Sequence, residues 1–231
     1  MTRLVLWDID GTLVDSAGLG RDAFAEAFEH VTGRPVEQFV PFAGRTDLEI
    51  ALDLLETAGV SDGEVQLDHF HAELARAMAE RADEVRELGR ALPGAREALQ
   101  RLDVEPDVIQ SLLTGNIEAN AHVKLGAFGL DRHLDFSIGA YGSDHRTRGE
   151  LVAIALSKAR ELRGLDLTPA DAVLIGDTPL DVAAALAGGA RAVGVASGPH
   201  GEGELREAGA HAVLPDLTDA EAVVAAALGR D

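Results

Sequence analysis

Two carboxylates two residues apart, Asp8 and Asp10, are the first side chains in the chain that could do chemistry. They follow the apolar run Leu4-Val5-Leu6-Trp7 and lead into Gly11 and Thr12. Such a run reads as a strand buried on both faces, the kind found in parallel sheets. In extended chain, side chains two positions apart leave on the same side, so the two acids crowd together. Like charges held that close need a cation, a shared proton or hydrogen bonds to neutralise them. Gly11 permits the positive-φ turn that takes the chain out of the sheet, and Thr12 adds a hydroxyl beside it. Two later apolar segments end in polar groups as well. Val108 to Leu113 runs into Thr114-Gly115-Asn116, and Ala172 to Ile175 runs into Gly176-Asp177, with Asp181 four residues further on.

In an open parallel sheet, ligands bind at the carboxyl ends of the strands. If these three segments are parallel neighbours, their polar ends converge on one spot. Carboxylates gathered there make a hard-oxygen cluster suited to Mg²⁺, which keeps waters and accepts a substrate phosphate. Thr114, with the backbone N–H groups ahead of the helix that starts at Ile117, offers donors to phosphate oxygens.

The elements that must position these residues follow from periodicity. Gly18 to Val31 is an amphipathic helix, Thr46 to Ala58 a second one with Thr46 or Asp47 as its cap, and Ser61-Asp62-Gly63-Glu64 opens a third that runs to about Leu88. No strand is predicted between 15 and 90, so this stretch reads as a helical insert. From Leu92-Pro93-Gly94 onward strands and helices alternate, the pattern of a parallel sheet covered on both faces. Helices are expected over Ala95 to Leu102, Ile117 to Phe128, Arg148 to Arg163, Leu180 to Ala187 and Asp219 to Leu228. Short strands are expected over Phe136 to Tyr141, Ala192 to Ala196 and Ala212 to Leu214.

Composition narrows the function. The chain has 231 residues, 46% of them apolar, with no cysteine and a formal net charge of -20. That length suffices for one α/β domain with a smaller insert. Without cysteine there are no disulfides, thiolate zinc sites or cysteine nucleophiles. The charge argues against nucleic acid or an anionic membrane as partner, both of which need a basic footprint. No run reaches membrane-spanning length and no signal peptide is read at the start, so a cytoplasmic protein is expected. A site for phosphate anions in so acidic a chain must carry local positive charge from a metal, a lysine or helix N-termini.

The ordered set of motifs resembles the haloacid dehalogenase superfamily, and within it the phosphoglycolate-phosphatase-like members with an α-helical cap. Asp8-Ile9-Asp10-Gly11-Thr12 is similar to the first motif of that family, Thr114-Gly115-Asn116 to the second, and Gly176-Asp177-Thr178-Pro179-Leu180-Asp181 to the fourth. The resemblance implies a Rossmann-like α/β core formed by residues 1–14 and 91–231, with a helical cap domain over 15–90. It implies Asp8 as nucleophile and metal ligand, Asp10 as acid/base with its backbone carbonyl on the metal, Asp177 as carboxylate ligand and Asp181 as support. Gly11, Thr12, Thr114, Gly115 and Asn116 would surround the phosphate. The activity implied is a Mg²⁺-dependent phosphatase acting on a small phosphorylated metabolite through an aspartyl-phosphate.

The chain departs from the family pattern at its basic residue. Where many relatives carry Lys-Pro, the sequence reads Asp144-His145-Arg146-Thr147-Arg148-Gly149. Lys124, eight residues after Asn116, is the preferred cation, with Arg148 as its substitute. Gly44-Arg45-Thr46-Asp47 is similar to a cap pattern of the family and makes Arg45 a substrate-facing cation. His69 and His71 stand at i and i+2 in a helical stretch and so do not share a face for a metal. His200 lies in a loop past the fifth core strand and is given little weight. A phosphomutase shares the nucleophile and the metal, and a phosphoryl-receiving signalling module also groups acids, a Thr and a Lys. A 2-haloacid dehalogenase lacks the second acid, so Asp10 argues against it.

Overall fold

The computed structural model describes residues 2–60 and 63–230. The expected start of the third helix at Ser61 and Asp62 lies outside them. The chain enters its main sheet at once. β1 (Arg3–Trp7) pairs on one side with β4 (Val108–Leu112) and on the other with β5 (Ala172–Gly176). Beyond β5 come β6 (Arg191–Val195) and β7 (Ala212–Leu214), and every pairing is parallel, in the order β4-β1-β5-β6-β7. Trp7 stands level with Leu112 and Ile175, so the residues that follow all three leave the sheet at one height.

Strand alternation sorts the core into two layers. Val5 and Trp7 face α5 (Ala95–Asp103), α6 (Glu118–Gly126) and α10 (Ala220–Leu228). Leu4 and Leu6 face the opposite layer, made of α7 (Glu150–Arg163), α8 (Pro179–Ala187) and the short α9 (Glu202–Glu207), which periodicity did not reveal. Leu4, Val5 and Leu6 are fully buried, and each contributes roughly 1.5–3 kcal/mol relative to exposure. Trp7 satisfies its indole N–H with Gln110 Oε1 at 3.1 Å.

The predicted helical insert is present as α1 (Leu19–Thr32), α2 (Asp47–Thr57), α3 (Gly63–Glu80) and α4 (Ala82–Leu88). These helices bury Phe24, Phe28, Leu54, Phe70, Leu74 and Met78 among themselves. The single long third helix expected from the sequence is broken at Arg81. Its guanidinium bonds back to the Ala77 carbonyl at 2.8 Å and to Glu26 at 2.6 Å, fixing the bend. The two ends of the insert lie side by side as a two-residue antiparallel ribbon, β2 (Val14–Asp15) against β3 (Arg90–Ala91), which the sequence did not signal.

The strand expected over Phe136 to Tyr141 is not one. The Asp135 side chain accepts from the Ser137 N–H and starts a single 3₁₀ turn, Phe136–Ile138. Only Ala140 then comes level with the sheet edge, in one parallel bridge to Leu113. Among the described residues no helix is long and apolar enough to cross a membrane.

Candidate active site

The carboxyl ends of β4, β1 and β5 meet as the pattern of strand ends requires. Asp8, just past β1, is 5% exposed; Asp177, just past β5, and Asp181 in the first turn of α8 are each 1% exposed. One oxygen from each of the three lies within 4.8 Å of the others. Thr178 caps α8 and Asp181 answers it: the Thr178 hydroxyl donates to Asp181 Oδ2 at 2.7 Å, and the Thr178 N–H donates to the same oxygen at 3.0 Å. This reciprocal capping box fixes the Asp181 rotamer from local sequence alone.

Gly11 holds φ 81°, and a Cβ there would come within 2.4 Å of Asp177 Oδ2. At Gly198, in the loop after β6, a Cβ would come within 1.8 Å of the same oxygen. Two glycines therefore let backbone crowd onto one carboxylate. Thr12 donates to Asp177 Oδ1 at 3.0 Å, and Ser197 donates to the Gly11 carbonyl at 2.7 Å.

The two basic candidates go to different acids. Arg148 Nη2 donates to Asp8 Oδ1 at 2.8 Å and also to Asp181. Because α7 begins only at Glu150, Arg148 sits in the loop ahead of the helix that the sequence had placed it in. Lys124, on α6, donates to both Asp10 oxygens at 2.8 and 2.6 Å and to Asn116 Oδ1 at 2.7 Å. Asn116 Nδ2 donates to Asp10 at 2.8 Å, and Ser16 donates to it at 3.2 Å. Thr114 Oγ1 accepts from the Asn116 N–H at 3.3 Å and from its amide at 3.0 Å. Asp8 and Asp10 line the same cleft but take separate cations.

Electrostatics follow from these partners. Burial lifts the Asp8 carboxyl above its ordinary range, opposed by Arg148 and reinforced by Asp181 and Asp10. Burial, then Asp8 and Asp181, lift Asp177 likewise. For Asp10 burial pulls upward, but the charge of Lys124 and the hydrogen bonds from Lys124, Asn116 and Ser16 outweigh it and hold the carboxyl below its usual value. Burial would lower the Arg148 guanidinium, and Asp181 and Asp8 keep it raised instead.

Asp8, Asp177 and Asp181 together carry one more negative charge than a divalent ion alone would cancel, and Arg148 supplies the balance. Three buried hard-oxygen donors around a deficit of two charges fit a divalent cation of the Mg²⁺ type. Gly11 and Thr12 frame this group, whereas Thr114, Gly115 and Asn116 frame the Asp10 side. Both sides open into one cleft of about 620 Å³, whose walls include Asp8, Asp10, Gly11, Lys124, Arg148 and Asp177.

The insert forms the opposite wall of that cleft and is stitched to the core. The Asp47 N–H donates to the Gly115 carbonyl at 2.7 Å, Asp47 Oδ2 accepts from the Ile117 N–H at 2.8 Å, and Thr46 Oγ1 donates to the Arg146 carbonyl at 3.0 Å. Gly115 is required by this approach, since a Cβ there would stand 2.0 Å from the Arg45 carbonyl oxygen. Arg45 reaches the cleft, but its guanidinium is paired with Glu49 at 2.9 Å and with Asp53. His200 bonds Glu204 at 3.1 Å, and His69 points to Glu73 while His71 is turned inward with Nε2 unpaired. None of the three lines the cleft.

Four participants were missed by sequence reasoning. Ser16 on Asp10, Asp47 on the Ile117 N–H and Ser197 on the Gly11 carbonyl carry no motif of their own. Asn120, 2% exposed on the cleft wall, has an Oδ1 with no hydrogen-bond partner among the described residues. Asp47 alone had a local signal, since it follows the Thr46 cap in the segment already singled out.

A parallel sheet with buried aspartates at the ends of adjacent strands, roofed by a helical insert, defines an α/β enzyme whose chemistry centres on carboxylates. The model of the haloacid dehalogenase-like hydrolases matches residues 2–189, and the chain belongs to that family. It is similar to "Probable phosphatase IndB" of Dickeya dadantii (strain 3937), 26% identical over 225 residues, which is 95% of this chain and 92% of that protein. A solved hydrolase from Pseudomonas syringae is 26% identical, with a TM-score of 0.67 and 95% of both chains covered. A predicted phosphoglycolate phosphatase from Haemophilus somnus 129pt superposes with a TM-score of 0.67 over 96% of this chain and 98% of that one. At 20% identity that likeness speaks for the fold alone.

Proposed function

We propose that the protein is a Mg²⁺-dependent phosphatase that cleaves a small phosphate monoester through an aspartyl-phosphate on Asp8, with residues 15–90 acting as a cap domain. The observation that carries this reading is the pairing of the first-motif acids: Asp8 beside Asp177, Asp181 and Arg148, and Asp10 beside Lys124, on one cleft. Family membership and the phosphatase similarity support it.

Among the described residues only Arg148 donates to the Asp8 carboxylate, which leaves Asp8 Oδ2 available for attack. In the first half-reaction an Asp8 oxygen bonds to phosphorus, the bond from phosphorus to the alcohol oxygen breaks, and the alcohol takes up a proton. In the second, water attacks the same phosphorus, releases inorganic phosphate and gives up a proton as the Asp8 carboxylate reforms. We assign both transfers to Asp10 and Lys124 acting as a pair. Lys124 keeps Asp10 ionised, the state needed to accept the proton from water, and the ammonium is the nearest proton donor to it. We assign the phosphate oxygens to Thr114, Gly115 and Asn116, ahead of α6, with Asn116 exchanging its bonds to Asp10 and Thr114 for the ligand. Asp8, Asp177 and the Asp10 carbonyl would hold Mg²⁺, with Asp181 in support. When bound, the ion would neutralise charge on the phosphate and on the attacking carboxylate.

The test is phosphate release from a panel of phosphorylated metabolites, with Mg²⁺ and after chelation, for the wild type and Asp8→Asn. Release that needs Mg²⁺ and vanishes in a folded Asp8→Asn variant is the expected result. Wild-type-like release by that variant removes Asp8 from the role, and full activity after chelation removes the metal. Movement of phosphate between two positions of one sugar, without release, would make the enzyme a mutase on the same machinery.

A further inference from the structure

The part of the cleft away from the acids is aromatic in a chain that has few aromatic residues. The sequence contains Phe 7, Trp 1 and Tyr 1, yet Phe24, Phe39 and Phe42 all line this one cleft. Phe24 meets Phe42 edge-on, with centroids 5.0 Å apart, and Phe39 meets Phe42 at 6.0 Å. Packing of the insert accounts for Phe24, which is buried in its core, and partly for Phe42. It does not account for Phe39, which belongs to none of the three hydrophobic clusters and stands half-buried on the loop between α1 and α2. That ring is nonetheless held. The Arg21 guanidinium lies 4.0 Å from its centroid, and among the described residues Arg21 has no carboxylate partner to draw it away. Phe39 therefore presents an apolar face on the cleft wall that the hydrophobic clusters do not take up, the kind of surface that small-molecule sites use. The cleft's volume of about 620 Å³ also exceeds what a phosphate with two or three carbons would fill.

We propose that the alcohol portion of the substrate carries a planar aromatic or heteroaromatic ring, which packs against Phe39 and Phe42 while its phosphate lies at Asp8. This rests on the phosphatase reading above and names the class of ester. Arg45 on the same cleft is already paired with Glu49 and Asp53, so the inference is assigned to the rings and not to this cation.

The experiment compares 2-phenylethyl phosphate with propyl phosphate in the presence of Mg²⁺. Both release primary alcohols of similar acidity, so a difference reports binding of the ring and not leaving-group chemistry. The wild type should prefer the phenylethyl ester by at least about tenfold in kcat/KM. Phe39→Ala and Phe42→Ala should each shrink that ratio, and Phe39→Tyr should keep it. A wild-type ratio near one, or a full ratio retained in both alanine variants, overturns the inference while leaving the phosphatase reading intact. No phosphate from either ester, nor from the metabolite panel, overturns the phosphatase reading and the inference with it.

Discussion

Replacing Asp47 by Asn should stabilise the protein, and by about 2 kcal/mol more at pH 8.5 than at pH 5.5. Asp47 is 6% exposed at the start of α2, where its Oδ2 accepts from the Ile117 N–H at 2.8 Å. Burial raises its carboxyl from 3.8 to about 7, although Lys124, the Ile117 N–H and Arg148 all pull the other way. In the unfolded chain the group is ionised throughout the neutral range. The folded state therefore holds more protons than the unfolded state between about pH 4 and 7, and stability must fall as pH rises through that window. Between pH 5.5 and 8.5 the folded group releases nearly all of its proton. Integration gives a loss of about 2 kcal/mol, using roughly 1.4 kcal/mol per unit. The Asn variant keeps an oxygen for the Ile117 N–H but carries no titrating charge, so it escapes that loss. For a chain of this size, about 2 kcal/mol corresponds to roughly 4–8 °C in Tm. Thermal unfolding of both proteins at pH 5.5 and 8.5 reads the difference directly. Equal Tm gaps at the two pH values, of either sign, would refute the assignment of this cost to a buried Asp47 charge.

Arg148→Ala leaves Asp8 and Asp181 buried without their cation. Breaking such a pair costs about 3–5 kcal/mol, or roughly 6–20 °C in Tm. Added Mg²⁺ should recover part of that Tm loss by binding the folded state, and an unshifted melting curve would count against the pairing. Lys124→Met removes the charge that holds the Asp10 carboxyl low. The acid limb of the kcat/KM profile should therefore move to higher pH, and a profile with an unmoved limb would separate Lys124 from Asp10. Gly115→Ala would bring a Cβ against the Arg45 carbonyl. It should release the contacts between the insert and the core, seen as faster hydrogen exchange at Asp47 and Ile117; unchanged protection there would show that the backbone adjusts.

Much of the candidate site was legible because its pieces are local. A strand that ends in Asp-x-Asp-Gly-Thr, and a Thr178 cap answered by Asp181, fix turn geometry and rotamers within a few residues. The failures have equally particular causes. Phe136 to Tyr141 has the composition of a strand, but the Asp135 side chain captures the Ser137 N–H and turns the chain first. The third helix is regular by periodicity, but Arg81 finds Glu26 on a different helix and the axis breaks there. Arg45 does line the cleft, as a substrate-facing cation would, but Glu49 and Asp53 reach its guanidinium through the turn of α2, a pairing that no motif announced.

The sequence by itself determined that strands end in polar groups, that Gly11 turns the chain out of the sheet after Asp10, and that a helical insert separates the first strand from the rest. Those are consequences of side-chain periodicity and of backbone conformations that short segments adopt on their own. Only the tertiary structure decided which cation meets which acid. Lys124 and Arg148 are 24 residues apart on different elements, and nothing local distinguishes their reach. Parallel strand order sets Arg148 between Asp8 and Asp181, and the helix after β4 delivers Lys124 to Asp10. A charge pair that spans more than a hundred residues is a property of how layers stack, and no spacing along the chain encodes it.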